Sequence, residues 1–151
     1  MQSLFRDYVE RFETFVKDFK KTIAGLTVEA LDWVPGPEMN SLTVLVVHTM
    51  GAARFWIGDM GLGDLSERDR AAEFQAKGYT EVELVALLDD TFAYVAQALA
   101  RLTYDDLMLT RQSPIHQREY SVSWSLLHAL EHTALHIGHA QITRQLWDQR
   151  G

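Results

Sequence analysis

The chain of 151 residues, 47% hydrophobic and 23% charged, fits one ordinary soluble domain over residues 1–151 that buries a single core. A formal net charge of -7, with no local cluster of Lys and Arg to offset it, makes nucleic acid a poor partner. Cysteine is absent, which excludes disulfides, thiolate metal ligands and a cysteine nucleophile.

The opening stretch MQSLFRDYVERFE is broken by Arg6, Asp7, Glu10 and Arg11, so it does not read as a leader segment. No uncharged apolar run approaches the roughly 18 residues of a spanning helix, so no membrane association is expected and the expected location is cytoplasmic. Phe5, Tyr8, Phe12, Phe15 and Phe19 recur at spacings of three and four, the period of an amphipathic helix with an aromatic seam facing the core. Gly25 is a stop signal, and Pro35, Gly36 and Pro37 make the next segment an extended connector. Asn40 or Ser41 then caps a second helix that runs through LTVLVVHTMGAARFWIGDM to the GLG at Gly61. On it Leu45, His48, Ala52, Phe55 and Asp59 share one inward face.

From Leu62 to Gly78 the sequence is polar and lacks clean periodicity, a long connection with room for a short helical piece. Thr80 and Glu83 have capping-box spacing and open a third helix along Leu84, Leu87, Leu88, Thr91, Tyr94, Val95, Ala98 and Leu102. TYDDL and RQSPIHQREYS, with Pro114, read as a second long loop in which a hairpin has little support. The last helix begins at Ser121 or Ser123 and reaches about Gln149. Trp124, Leu135, Ile142 and Leu146 mark one apolar stripe on it, and Leu126, Leu130 and Ile137 mark another nearly opposite. Two stripes need two neighbours: the helix is central in the bundle, or its second stripe meets another copy of the chain, which would make a homodimer. With no strand pattern of comparable strength, the expected fold is all-α. It is a four-helix bundle with long connections after the first helix, the second or both, and before the fourth.

Six histidines occur, four of them within HALEHTALHIGH. At about 100° per residue, His132 and His136 are about 40° apart around the last helix and can converge on one ion; His128 and His132 can do the same. A trapped divalent cation usually wants at least three protein ligands, so a third must come from elsewhere. His116 lies in a polar loop and reads as solvated, whereas His48 sits on the inward face of the second helix, where bundles build metal sites. Burying several imidazoles together without a metal would demand many compensating partners, since each ring has two polar nitrogens. HALEH also matches the H-x-x-E-H pattern of inverted zinc metallopeptidases, with Glu131 as general base, but the match is short and the chain has no second lobe to form a peptide cleft.

SLTVLVVHTMGAARFW around His48 and LLHALEHTALHIGHAQITRQLW around His132 and His136, with LTVEALDWVPGPEMNSL before the second helix, carry a resemblance over nearly the whole chain. The sequence resembles the DinB-like, damage-inducible superfamily of small bacterial four-helix bundles. That superfamily includes enzymes similar to mycothiol-dependent maleylpyruvate isomerase and the bacillithiol transferases. The resemblance implies His48, His132 and His136 as ligands of a divalent ion. It places Gly138 and Gln141 roughly where the family has a small residue and a glutamine, but the usual HxGQ ending is altered, because His139 and Ala140 intervene and Gln141 comes two residues late.

Three neutral nitrogens suit zinc, nickel, iron or manganese about equally, with water completing the coordination. The activity implied is thiol or water activation at the metal, favouring transfer of a low-molecular-weight thiol to an electrophilic small molecule in detoxification or stress response. The alternative is a non-catalytic, dimeric metal-binding bundle of the same fold. His128, His139 and Glu131 are candidates for orienting the ligand rings, Glu131 more as a surface or interhelical carboxylate. Residue types alone name neither the metal nor the substrate.

Overall fold

A computed structural model describes residues 1–150. The aromatic seam forms α1, Ser3–Ile23, with Phe5, Tyr8, Phe12 and Phe19 buried. Phe15 is only half-buried and Val16 takes its place in the core. The reason is geometric: a straight helix drifts against a strict repeat of 3.5 residues, so the buried line moves over by one residue along its length. The connector after α1 contains a short helix, α2 (Val28–Leu31), capped by Thr27. Asp32, which follows it, accepts from the Thr43 hydroxyl and from the Gly78 amide, both at 2.7 Å. One carboxylate thereby ties two connections to the second long helix.

That helix, α3 (Leu42–Arg54), is capped by Ser41, whose hydroxyl accepts from the Val44 amide at 3.2 Å. It is buried on nearly every side, including Leu42, Leu45, Val46, His48, Met50 and Ala52. It does not continue as an α-helix to Gly61. From Phe55 to Leu62 the turns widen to the π form and end at Gly63, whose φ of +80° closes the segment. Neighbours pull on these turns: Asp59 accepts from the Ser66 amide and hydroxyl, and Tyr94 donates to Asp64 at 2.7 Å.

The following connection holds α4 (Arg70–Glu73), capped by Asp69, whose carboxylate accepts from the Ala72 amide. Both halves of the Thr80–Glu83 capping box are formed at the start of α5, Glu81–Arg101. After a 3-10 turn at Asp105–Met108 the chain makes a hairpin where a loop is the sequence expectation. In it β1 (Thr110–Gln112) pairs antiparallel with β2 (Glu119–Ser121), with Arg111 opposite Tyr120. Ser113 closes it by donating its amide to the Arg118 carbonyl at 2.8 Å. Such short strands carry too little alternation to stand out in sequence.

Ser121 caps the last helix, α6, Val122–Gln149. α1 and α3 each pack against both α5 and α6, which sets α1 and α3 at opposite corners of a four-helix bundle. A diagonal step must cross the bundle, which accounts for the length of the first connection. The stripe of α6 through Leu126 and Ile137 is buried, with Leu130 half-buried, while Trp124, Leu135, Ile142 and Leu146 face outward. The helix buried all round is therefore α3 and not α6. No helix among the described residues is long and apolar enough to cross a membrane.

Candidate metal centre

His48 reaches the centre from α3, and His132 and His136 reach it from consecutive turns of α6. The His132 Nε2 atom lies 3.1 Å from His48 Nε2 and 3.1 Å from His136 Nε2. One ligand atom from each ring lies within 4.8 Å of the other two. Three ring nitrogens this close cannot satisfy one another. His132 Nε2 can donate its single proton to one neighbour, and then has no lone pair left for the other. A cation that accepts three lone pairs resolves the conflict, so the donor set fits a divalent ion.

Protonation points the same way. Burial, reinforced by the nearby imidazoles of His136 and His48, pushes the His132 pKa down to about 3. Burial and the neighbouring His48 and His139 push that of His136 down to about 4. Both rings are thus neutral at pH 7 and present lone pairs, as metal ligation requires.

The far sides of the rings differ. His48 Nδ1 lies 2.8 Å from Glu73 Oε2, and the Arg68 guanidinium grips the same carboxylate with Nε at 2.6 Å from Oε1 and Nη2 at 2.9 Å from Oε2. Burial alone would raise the Glu73 pKa, but the hydrogen bonds from Arg68 and His48 outweigh it and hold the carboxyl below its usual range. An ionised carboxylate only accepts, so His48 Nδ1 donates and Nε2 carries the lone pair that faces the centre. His136 Nδ1 lies 3.3 Å from His139 Nδ1. His132 Nδ1 is buried with no hydrogen-bond partner.

Glu73 and Arg68 are absent from the sequence reading because they lie in the polar connection between the second and third long helices. The faint signals are Asp69 as a helix cap and Gly51 in the middle of α3. A Cβ at Gly51 would lie 2.2 Å from Glu73 Oε1, so only glycine lets this carboxylate approach. Of the candidate orienting residues, His139 does reach a ligand ring. Glu131 does not: its side chain is 81% exposed and 4.0 Å from His128 Nδ1.

His128 is outside the converging set, which removes the H-x-x-E-H pair as the centre. Its ring stacks on Trp124 at 4.8 Å between centroids and meets Trp56 edge-on at 4.8 Å. His116 also stays outside the set and is exposed, as its loop position suggests, with its ring stacked on Trp56 at 5.1 Å. Gln141 faces a different groove, with Asp18 and Arg144. On the C-terminal side of the ligand set a cavity of about 330 Å³ is lined by His136, His139, Asn40, Met39, Leu45 and Ile142 among others.

The fold recurs among known proteins. The chain superposes on a conserved protein from Enterococcus faecalis with TM-score 0.80 and 18% identity, covering 99% of this chain and all of that one. It superposes on YfiT from Bacillus subtilis with TM-score 0.74 and 14% identity, covering 96% of this chain and 89% of that one. YfiT is described as "a probable metal-dependent hydrolase with an unusual four-helix bundle topology". At these identities the likeness establishes the fold. No curated protein sequence matches the chain. The family model described as Mycothiol-S-transferase matches residues 8–149, nearly the whole length and a span that contains the three converging histidines, and the chain belongs to that family, within the DinB-like proteins.

Proposed function

We propose that the protein is a divalent-metal-dependent transferase that activates a low-molecular-weight thiol for attack on an electrophilic small molecule, with His48, His132 and His136 as ligands. The observation that carries this reading is the convergence of three imidazole Nε2 atoms that cannot satisfy one another. A divalent ion bound there supplies Lewis acidity, lowering the pKa of a thiol or water and polarising an electrophile. The sulfur must come from a substrate, because the chain has no cysteine. The family description makes mycothiol the first thiol to test.

The chain's own residues prepare the ligand set. Glu73, clamped by Arg68, holds the His48 ring in one tautomer and one orientation. When His136 offers Nε2 to an ion, its Nδ1 proton is donated to His139. His128, packed between Trp56 and Trp124, borders His132 on the N-terminal side of the set. We place the reaction in the cytoplasm, in detoxification or stress response.

The test is elemental analysis of the purified protein beside His48→Ala, His132→Ala and His136→Ala, together with thiol-consumption assays. The expected result is about one divalent ion per chain, lost in each variant, and turnover that a chelator abolishes and added metal restores. Wild-type protein without stoichiometric metal, with variants equal to it in stability, would sink the proposal. Turnover of ester or amide substrates with no thiol requirement would instead assign water as the nucleophile.

A second reading, a non-catalytic dimeric bundle cross-linked by its ion, draws on the outward apolar stripe of α6, where Leu135 is 56% and Ile142 52% exposed. It predicts that chelation lowers thermal stability while thiol and electrophile screens stay silent. A robust metal-dependent rate removes it.

A further inference from the structure

We infer that the cavity beside His136 and His139 receives the electrophilic substrate, and that this substrate has a compact, largely apolar body. The inference rests on the thiol-transfer reading of the same centre and adds which reactant sits where. His136 belongs both to the ligand set and to the cavity wall, so a molecule in the cavity lies against the centre. On the opposite side the His128 ring lies 5.7 Å from that of His132, backed by Trp56 and Trp124.

Leu45, Met39 and Ile142 supply the apolar part of the wall, and Glu38, Asn40, His139 and the buried Thr143 supply polar groups beside His136. Met39 is 42% exposed and Ile142 52% exposed, so a ligand with apolar surface gains by covering both. Methionine also adapts its shape to what it contacts. A volume of about 330 Å³ is at the small end of ligand pockets and suits one compact molecule.

The test is a saturation-transfer NMR titration of the zinc-loaded full chain with 4-methylbenzyl alcohol as apolar probe and methyl glucoside as polar probe. Ile142→Trp fills the cavity from an outward position on α6. Leu127→Trp makes the same addition on an exposed part of α6 about 22 Å away along the axis. The apolar probe is expected to bind wild type and Leu127→Trp alike, and at least about tenfold more weakly to Ile142→Trp, with zinc content unchanged in all three. Equal binding to wild type and Ile142→Trp, or preferential binding of methyl glucoside that Ile142→Trp removes, would overturn the assignment. Absence of thiol consumption while the probe still binds in the expected pattern would count against the transferase reading and leave the apolar cavity site standing.

Discussion

At the scale of single residues, the centre depends on a carboxylate that touches no reacting atom. Glu73 fixes the His48 ring through one oxygen and is itself fixed by Arg68 through both. Glu73→Gln removes the charge that Arg68 clamps and leaves the shape nearly unchanged. We expect metal affinity to fall by about 10–100-fold, read by competition with a chromophoric chelator. Unchanged affinity would show that His48 needs no orienting partner. Helix geometry brings out His48 on its inward phase and two i, i+4 pairs on α6, His128 with His132 and His132 with His136; the choice of the second pair comes from the family resemblance. Glu73 was not legible in the sequence, because it meets His48 across 25 residues of chain and no periodicity spans that gap. His139 was legible only as a neighbour; its contact with His136 needed coordinates.

At the scale of elements, two glycines inside helices make opposite predictions from one substitution. Propensity alone favours alanine over glycine in a helix interior by about 1 kcal/mol. At Gly138 a Cβ would meet nothing within 4 Å, so Gly138→Ala is expected to raise stability by roughly 0.5–1 kcal/mol. At Gly51 the new Cβ would strike Glu73, so Gly51→Ala is expected to cost about 1–3 kcal/mol and also to weaken metal binding. Chemical denaturation of both variants checks the pair, and a stabilised Gly51→Ala with full metal affinity would remove the steric argument. The four long helices were legible, with the cap at Thr80 and the cap pairs Asn40 or Ser41 and Ser121 or Ser123, of which Ser41 and Ser121 are used, since capping chemistry is local. The widened turns at Phe55–Leu62 were not; Asp59 within them accepts from Ser66, and Tyr94 of α5 donates to Asp64 just beyond them. The hairpin showed only as a weakly supported option because its strands have three residues each.

For the whole molecule, acid and association are the accessible tests. In the unfolded chain His132 and His136 take up protons below about pH 6.5. In the folded, metal-free chain they do so only near pH 3 and 4. Between those limits the unfolded state binds more protons, so the stability of chelated protein falls as pH drops from about 6.5 toward 4. Glu73, whose folded pKa is lowered, adds to the loss through the carboxylate range. Thermal midpoints of chelated protein at descending pH measure this, and His132→Leu with His136→Leu should flatten the upper part of the slope. If α6 joins two copies through its outward stripe, Leu135→Glu should convert a dimer to a monomer in sedimentation without lowering the helical content. A wild-type monomer would leave the stripe to other uses. The three ligands and their carboxylate lie at residues 48, 73, 132 and 136, on two helices and one connection, and His48 and His132 are 84 residues apart in the chain. Nothing short of the finished bundle assembles them, so, under the proposed metal binding, uptake doubles as a certificate of chain integrity. A nick between Leu62 and Gly78, or a misdocked α6, would announce itself as a failure to load.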